Sequence, residues 1–364
     1  MTARTETAGG RAAAAGAPPH RILLVRLGAL GDVVHAIPVA AALRRALPSA
    51  RIDWLVSAKH REVLDLVPAI DQRLAINDRA GASGGRTLLQ AIAGLRRERY
   101  DVAIDLQGLI KSAALARLSG ATRVIGFASP FVREPLARWF YTEAHDPGTG
   151  GVHDRGEGRH IVEINLGILE ALGIPRGPIV FPLAPIDSAA ARSVRERTGG
   201  RYALLNPGAA WPNKRWPPER FAAVARALRA RHALASTVLW GPAEETLARE
   251  VVAASEGAAA LAPRTSIADL VALARGAALM VSGDTGPTHL AAAVGTPIVA
   301  LFGPTRPQRN GPWAPDDLAI SRAGVCQCHH LRRCRLASMC LLDVQVSEVL
   351  EAIDRRLARS AARG

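Results

Sequence analysis

Long apolar runs, cysteines and lysines are scarce in this sequence of 364 residues, and each scarcity excludes a class of protein. No apolar run reaches the roughly 18 residues that a membrane-spanning helix needs, so we expect no integral membrane protein. Four cysteines are too few for a scaffold of this length built on disulfides. The hydrophobic fraction of 49% is nevertheless large enough for sizeable cores, which excludes wholesale disorder.

The charge is one-sided, with 46 basic and 32 acidic residues and a formal net charge of +14. Such a balance favours anionic partners: nucleic acid, an acidic membrane surface or phosphorylated ligands. Only Lys59, Lys111 and Lys214 are lysines, in a chain also rich in alanine and glycine, so part of the arginine excess can reflect genomic base composition. Because the basic residues form no long run or single motif, we expect no nucleic-acid partner.

Strand-like and helix-like segments alternate along the chain. The predicted strands are Arg21–Leu27, Arg51–Ser57, Asp101–Leu106, Arg123–Gly126, Tyr202–Asn206, Thr237–Trp240, Leu279–Ser282 and Ile298–Phe302. The predicted helices are Val33–Leu47, Thr87–Arg99, Leu109–Leu118, Pro217–Arg231 and Val346–Arg359. This alternation predicts an α/β protein in which parallel sheets carry helices on both faces.

The domain boundaries follow from composition. Residues 1–20 are small, polar and lack the apolar core of a secretory signal, so we expect a disordered tail. One domain is predicted over 21–183 and a second over 201–345, with a linker at 184–200 where prolines and glycines cluster. The amphipathic segment 346–364 is predicted to be a helix that packs on either domain.

A glycine-rich turn joins the first strand to the first helix, over Gly28–Asp32. Its glycines, Gly31 among them, permit close approach of a ligand, and the helix N-terminus offers free N–H groups. The spacing matches neither the dinucleotide fingerprint nor a P-loop. Asp32 has two interpretations: a helix N-cap, or a general base at the carboxyl end of the sheet, where ligands of open α/β folds bind.

Three turns in the second half carry polar residues that suit a nucleotide diphosphate. The loop Asn206–Pro217 holds Gly208 and Lys214, and Lys214 either contacts a phosphate or is an ordinary surface lysine. Ser282–His289 brings Asp284, Thr285, Gly286 and His289 to a helix N-terminus, as a phosphate site or as simple capping with a buried histidine. Glu245 follows another strand and either accepts ribose hydroxyls or is a solvated first-turn glutamate.

Taken together, these segments resemble the family 9 glycosyltransferases, the ADP-heptose:lipopolysaccharide heptosyltransferases. The resemblance runs from Arg21 onward and is carried by Gly28–Asp32, Asp105–Ser112, Arg133–Ala137, Lys214–Pro217, Asp284–His289 and Gly303–Thr305. Each motif alone is weak, but their order and combination are specific. Asp105–Ser112 and Arg133–Ala137 look most like the heptosyltransferase I branch, which adds the first heptose to Kdo-lipid A.

The resemblance implies a GT-B fold, in which two Rossmann-like domains with parallel sheets face each other across a cleft. It implies inverting, metal-independent transfer from ADP-L-glycero-D-manno-heptose to a Kdo-lipid A acceptor, without a required cofactor. Asp32 and Lys214 match the family's catalytic residues. Donor binding is implied for Gly208, Glu245, Asp284, Thr285, Gly286 and His289, and acceptor binding for Gly31, Lys111 and Arg133. The implied location is cytoplasmic, with peripheral contact to the inner face of the inner membrane.

All four cysteines, Cys326, Cys328, Cys334 and Cys340, fall within one short segment. Their clustering is one argument for a structural zinc site, but the irregular spacing without a C-x-x-C pair favours buried or redox-linked thiols.

Other functions remain open at this point. The same fold can use a different nucleotide sugar, a heptosylated core acceptor, or no acceptor at all, as in a nucleotide-sugar epimerase. A non-enzymatic basic protein is the remaining alternative. It does not explain why Asp32, Lys214 and His289 stand at three separate strand-to-helix turns, since charge alone requires no such placement.

Overall fold

The structure, a computed structural model, describes residues 18–77, 84–152, 154, 156–328, 331–334 and 338–362. Most of the predicted tail lies outside these residues. The strands are β1 Arg21–Val25, β2 Arg51–Ser57, β3 Gln72–Ile76, β4 Val102–Asp105, β5 Arg123–Phe127, β6 Glu143–His145, β7 Tyr202–Asn206, β8 Ala235–Val238, β9 Ala259–Leu261, β10 Leu279–Gly283, β11 Ile298–Phe302 and β12 Leu318–Ser321. They form two six-stranded sheets, and every strand pair is parallel.

Helices connect the strands. They are α1 Leu30–Val34, α2 Ile37–Ala46, α3 Arg61–Leu64, α4 Gly84–Arg97, α5 Ile110–Leu118, α6 Ile161–Gly167, α7 Ala189–Thr198, α8 Pro218–His232, α9 Glu245–Ala254, α10 Ile267–Gly276, α11 Gly286–Ala293, α12 Pro307–Asn310 and α13 Val346–Ala361. Short 3-10 segments add Ala58–His60, Pro135–Phe140, Ile168–Leu172, Pro212–Lys214 and Cys340–Asp343. In the described part of the chain, none of the helices has the length and apolar character needed to cross a bilayer.

The two sheets share one topology. The first has the order β3-β2-β1-β4-β5-β6, and the second, read from β9, has the order β9-β8-β7-β10-β11-β12. Numbered within its own domain, each is the 3-2-1-4-5-6 order of doubly wound nucleotide-binding folds. The central strands β1 and β7 are apolar and buried, as expected where helices cover both faces. The prediction of two Rossmann-like domains with parallel sheets is therefore confirmed.

The strands β3, β6, β9 and β12 were not predicted, and each lies at the edge of its sheet. An edge strand has one hydrogen-bonding side free and is often short, so it shows no continuous apolar run. β6 has three residues, and none of them is fully buried. The sequence pattern therefore identifies the central strands and misses the borders of the sheets.

The predicted helix Val33–Leu47 is two helices, α1 and α2, separated at His35 and Ala36. Pro38 is the second residue of α2, where its missing N–H costs no hydrogen bond, but it cannot continue a helix from α1. The break ends α1 after a single turn and turns the chain beside His35.

The predicted linker 184–200 is mostly helix rather than connection, because α7 occupies Ala189–Thr198. Ser188 caps α7 by accepting from the Ala191 N–H and donates to Asp269 at 2.6 Å. α7 packs on α10 of the second domain, and Val194 of α7 is fully buried. The extended connection is residues 174–188, which carry neither helix nor strand.

The C-terminal helix α13 packs on α8 and on strands β11 and β12 of the second domain. Val349, Ala352 and Ile353 are fully buried there. Arg356 binds Asp317 at 2.8 Å, and both side chains are nearly inaccessible. Of the two domains left open by the sequence, the second one therefore carries this helix.

Candidate active site in the interdomain cleft

A cleft of about 810 Å³ lies between the two domains. Its walls are the loops that follow β1 and β4 in the first sheet and β7 and β10 in the second. In each sheet these two strands are neighbours, and the strands that follow each of them in sequence are added on opposite sides of the pair. Open α/β sheets bind their ligands at this switch point, beyond the carboxyl ends of the strands. The cleft thus joins the expected binding sites of both domains.

The N-termini of α1 and α11 meet across the cleft, and glycines make the contact possible. A Cβ on Gly31 would stand 2.3 Å from Cδ2 of His289 in the other domain. A Cβ on Gly286 would stand 2.8 Å from Cδ2 of Leu30. Neither position tolerates a side chain without a shift, since real Cβ contacts are longer. Gly31, implied on the acceptor side, therefore lies at the seam between the domains.

Asp32 lines the cleft from the first domain, and two arginines contact its carboxylate. Arg26 contacts Oδ1 at 3.0 Å, Arg133 donates to Oδ2 at 3.2 Å, and the Ala29 N–H donates to Oδ2 at 3.2 Å. Burial raises the pKa of Asp32, but the charges of Arg26 and Arg133 outweigh it and hold that pKa well below its ordinary value. Asp32 is therefore ionised, and it accepts a proton poorly while both arginines remain in place.

Asp284 is the corresponding carboxylate on the second domain. Its Oδ2 binds Lys214 Nζ at 2.5 Å and accepts from the Thr305 hydroxyl at 2.7 Å, and its Oδ1 contacts His289 Nε2 at 3.1 Å. Burial raises the pKa of Asp284, but the hydrogen bond from His289 and the charge of Lys214 lower it well below the ordinary value. Lys214 also lies over the ring of Trp211, 4.6 Å from its centroid. The structure thus joins Lys214, Asp284 and His289 in one buried cluster.

A hydroxyl and amide network shapes the turn before α11. The Asn206 side chain donates to the Ser282 and Thr285 hydroxyls at 3.0 Å each, and Thr285 and Thr288 are hydrogen-bonded at 3.0 Å. Thr285 is the N-cap residue, yet its side chain accepts no hydrogen bond from a backbone N–H of the first turn of α11. The positive end of the helix therefore faces the cleft without a side-chain cap, which suits an anionic ligand.

The acidic residue at the β8–α9 turn that faces the cleft is Glu244, not Glu245. Glu244 lines the cleft and approaches Gly208 so closely that a Cβ there would stand 2.2 Å from its carboxylate. Glu245 opens α9 and points to solvent, where it pairs with Arg249 at 2.6 Å. The sequence places an acidic residue correctly at this turn but cannot decide which of two adjacent glutamates faces inward.

Of the two basic residues implied for acceptor binding, Arg133 lines the cleft and Lys111 does not. Lys111 lies exposed on α5. The buried Asp105 accepts from the Tyr141 and Ser112 hydroxyls at 2.7 and 3.0 Å and from the Gln107 N–H at 2.9 Å. These bonds fix the end of β4 and direct Gln107 into the cleft, so the Asp105–Ser112 motif acts mainly through the backbone that it orders.

Three imidazoles from both domains form a cluster that the sequence did not predict. The His35 ring lies 4.3 Å from His289 and 5.4 Å from His160, each in edge-to-face geometry. Nε2 of His160 contacts the Gly311 carbonyl of the second domain at 3.0 Å. Burial lowers the pKa of His160 to about 4 and that of His35 well below its ordinary value. At neutral pH the His35 and His160 rings are therefore uncharged, and the three rings pack at the domain interface.

Two arginines were missed as well. Arg26 follows the first strand directly, and a charged residue after a buried apolar run was the available signal. Arg309 lies on the short helix α12, where no pattern marked it. Both line pockets beside Asp32, and only tertiary packing brings them there.

The cysteine segment lies beside the loop that carries Lys214. Sγ of Cys328 is 3.1 Å from Sγ of Cys334, and no disulfide joins the four residues. Burial raises the pKa of Cys340 to about 12, so its thiol is protonated. Among the residues that the structure describes, no group of three or more His, Cys, Asp or Glu side chains is arranged to hold a metal ion. The Asn213 side chain donates to the Leu331 carbonyl at 2.8 Å, so this segment supports the loop that carries Lys214.

Comparison with known proteins identifies the family. The model of glycosyltransferase family 9 (heptosyltransferase) matches residues 88–339. Lipopolysaccharide heptosyltransferase 1 of Pseudomonas aeruginosa is 32% identical over 318 residues, which cover 84% of this chain and 85% of that protein.

Solved structures agree. The glycosyl transferase family 9 structure from Veillonella parvula superposes with a TM-score of 0.78 at 23% identity, over 93% of this chain and 98% of the other. The E. coli heptosyltransferase WaaC with ADP superposes with a TM-score of 0.74 at 24% identity, over 92% and 99% of the two chains. The chain therefore belongs to glycosyltransferase family 9, the heptosyltransferase family, and its fold is GT-B.

Proposed function

We propose that the protein transfers heptose from ADP-L-glycero-D-manno-heptose to a Kdo-lipid A type acceptor, with inversion at the anomeric carbon, in lipopolysaccharide inner-core synthesis. The observation that carries this proposal is the opposition of two half-sites across one cleft. Asp32 stands on the first domain, and the Lys214–Asp284 pair stands beside the uncapped N-terminus of α11 on the second. Inverting transfer needs one base on the acceptor side and positive groups at the leaving diphosphate.

In this mechanism Asp32 takes the proton from the acceptor hydroxyl as that oxygen attacks the anomeric carbon. The bond from the anomeric carbon to the diphosphate breaks, and its electron pair leaves with ADP. Lys214 and the N–H groups at the start of α11 stabilise the charge that develops on the diphosphate. Thr285 and His289 shape this donor site, and Glu244, the glutamate of this turn that lines the cleft, holds the nucleoside. No step requires a metal ion or another cofactor.

We place the enzyme at the cytoplasmic face of the inner membrane, in peripheral contact with it. An apolar patch supports this contact: Leu136 and Trp139 are 60% and 78% exposed on the 3-10 segment that follows Arg133. That segment packs on α5, where Ile110 and Lys111 are also exposed. Aromatic and aliphatic side chains with flanking cations suit an anionic membrane interface, and here they border the acceptor side of the cleft.

Vesicle binding tests the membrane contact. The double variant Leu136→Ser/Trp139→Ser is expected to lose co-sedimentation with anionic phospholipid vesicles. Val325→Ser, which changes an apolar residue 66% exposed on the second domain, is the matched control and should bind like the parent protein. Equal binding by the patch variant and the parent would contradict the assignment.

The reaction itself is tested by incubating the protein with ADP-heptose and Kdo-lipid A, in parallel with other nucleotide sugars and a heptosylated acceptor. Mass spectrometry identifies the products, and NMR gives the anomeric configuration of the transferred sugar. We expect one heptose to be added to Kdo-lipid A, in EDTA as well as without it, with a β-to-α or α-to-β change at the anomeric carbon. Addition only to the heptosylated acceptor, or only from another donor, would replace the substrate assignment. A changed sugar nucleotide formed without acceptor would instead indicate an epimerase.

A further inference from the structure

Arg309 is a buried cation that forms no ion pair of its own with the residues described in the structure. It lies on α12 of the second domain, is 8% exposed, and its Nη1 has no hydrogen-bond partner among the described residues. Burial lowers the pKa of Arg309 to about 10, and the charge of Arg133 lowers it further while that of Asp32 opposes the shift. A buried guanidinium left in this way favours binding of an anion, which would supply the missing hydrogen bonds.

The charges around Arg309 do not balance. Arg26, Arg133 and Arg309 have two carboxyl groups near them: Asp32, which contacts the first two, and Asp105, whose charge acts on Arg26. The nearby Glu157 does not compensate Arg309, because both of its oxygens are hydrogen-bonded to Arg159, at 2.9 and 2.7 Å. The cluster therefore carries an excess of positive charge beside the catalytic carboxylate, in a partly desolvated site where such charge acts strongly.

The position of the cluster separates it from the expected diphosphate site. A side pocket of about 20 Å³ opens beside the main cleft, and first-domain residues such as Phe127, Phe131 and Asn165 line it together with Arg309. Arg133 and Arg309 line both this pocket and the main cleft, so they stand at the mouth between the two. Lys214 and Thr285 line the main cleft but not the side pocket. An anion held at this mouth lies on the acceptor side.

We propose that Arg309 and Arg133 form an anion-binding subsite, made of both domains, that takes the carboxylate of the acceptor's acidic sugar. The subsite rests on the proposed function for the identity of the acceptor. It makes Arg309 a specificity-determining residue contributed by the donor domain, so acceptor recognition is complete only when the domains are together.

The subsite also explains how Asp32 becomes an effective base. Arg133 donates to Asp32 at 3.2 Å and weakens Asp32 as a base. A carboxylate between Arg133 and Arg309 offers Arg133 a second partner and adds a negative charge near Asp32. Both effects favour proton uptake by Asp32, since like charge and loss of a cationic partner raise a carboxyl pKa. The correct acceptor thus activates the base that its own hydroxyl requires.

Direct binding tests the subsite without turnover. We expect free Kdo to bind Arg309→Gln about 10- to 100-fold more weakly than the parent protein in titration calorimetry, as for loss of a charge-assisted hydrogen bond. The methyl ester of Kdo should bind both proteins equally weakly, and ADP should bind both equally well. Arg264→Gln, on an exposed loop of the same domain, is the matched control and should bind all three probes like the parent. Arg309→Lys keeps the charge and should recover part of the affinity for Kdo.

The outcomes separate the possible anions. Unchanged Kdo affinity in Arg309→Gln, or an equal loss for the acid and the ester, overturns the proposal. A loss of ADP affinity with Kdo binding intact assigns Arg309 to the diphosphate and also overturns it. If Arg309→Gln does not fold, judged by its thermal transition, Arg309→Lys and Arg133→Gln carry the same comparison. A parent protein that binds Kdo through Arg309 but transfers no heptose refutes the proposed function and leaves the subsite standing.

Discussion

The ion pair between Lys214 and Asp284 connects two loops of the second domain at the centre of the proposed donor site. The two charged atoms are 2.5 Å apart, and the side chains are 14% and 4% exposed. Lys214→Met removes the ammonium but keeps most of the apolar stem, so it tests the charge with little loss of packing. It leaves Asp284 buried, with His289 and Thr305 as its remaining side-chain partners in the described part of the chain.

The expected cost follows from that burial. Removing one member of a buried ion pair costs about 3–5 kcal/mol, because the remaining charge is desolvated and unpaired. Since Lys214 retains some solvent contact, we expect the lower end, about 3 kcal/mol. A domain of this size loses roughly 2–4 °C per kcal/mol, so the melting temperature of the second domain should fall by about 6–12 °C. Asp284→Asn should behave similarly, and the double variant should lose about 2–3 kcal/mol less than the sum of the single changes.

Scanning calorimetry of the four proteins at pH 7, in low and high salt, measures this cycle. A buried pair should give a coupling energy that changes little with salt, because screening acts mainly on exposed charges. Arg249→Gln is the matched control: it removes the Glu245–Arg249 pair, whose side chains are 43% and 65% exposed, and should change stability by less than about 0.5 kcal/mol. A coupling energy below about 0.5 kcal/mol for Lys214 and Asp284 would refute the reasoning, since independent sites add within that margin.

Three further outcomes are expected. Asp32→Asn should lower kcat about 10²- to 10⁴-fold with ADP affinity unchanged, because only the base is lost; activity within a few fold of the parent would contradict that role. Arg133→Gln should raise the pKa of Asp32 and move the acid limb of the kcat profile to higher pH; a limb that stays in place would show that Arg133 does not tune the base. His160, whose neighbours include His289, Glu163 and Arg309, has a folded pKa of about 4 against an ordinary 6.5. The contribution of uncharged His160 to the free energy of unfolding is complete above pH 6.5. It is lost as the pH falls toward 4, by up to about 3 kcal/mol. The free energy of unfolding of His160→Asn, measured by denaturation, should therefore depend less on pH over this interval than that of the parent.

The sequence predicted the buried framework of the fold well. Arg51–Ser57, Tyr202–Asn206 and Ile298–Phe302 have the bounds expected for them, because a strand covered on both faces is mostly apolar along its length. The four edge strands were missed because half-exposed strands carry no such constraint. The segment 184–200 was predicted as a linker from its prolines and glycines, although Gly199 ends α7 in a left-handed conformation and so marks a helix terminus.

By itself the sequence determined which turns line the cleft, since glycine and polar residues after apolar strands must lie at the carboxyl edge of a parallel sheet. Asp32, Lys214 and Asp284 were found in this way. Tertiary structure alone decided what surrounds them. Arg309 reaches the first domain from a helix that no local pattern marks, and it joins Arg133 beside Asp32 only because the domains pack face to face. Hydrophobic periodicity in a sequence indicates which residues of one helix or strand are buried. The electrostatic field at a carboxylate, in contrast, depends on the charges of every element nearby.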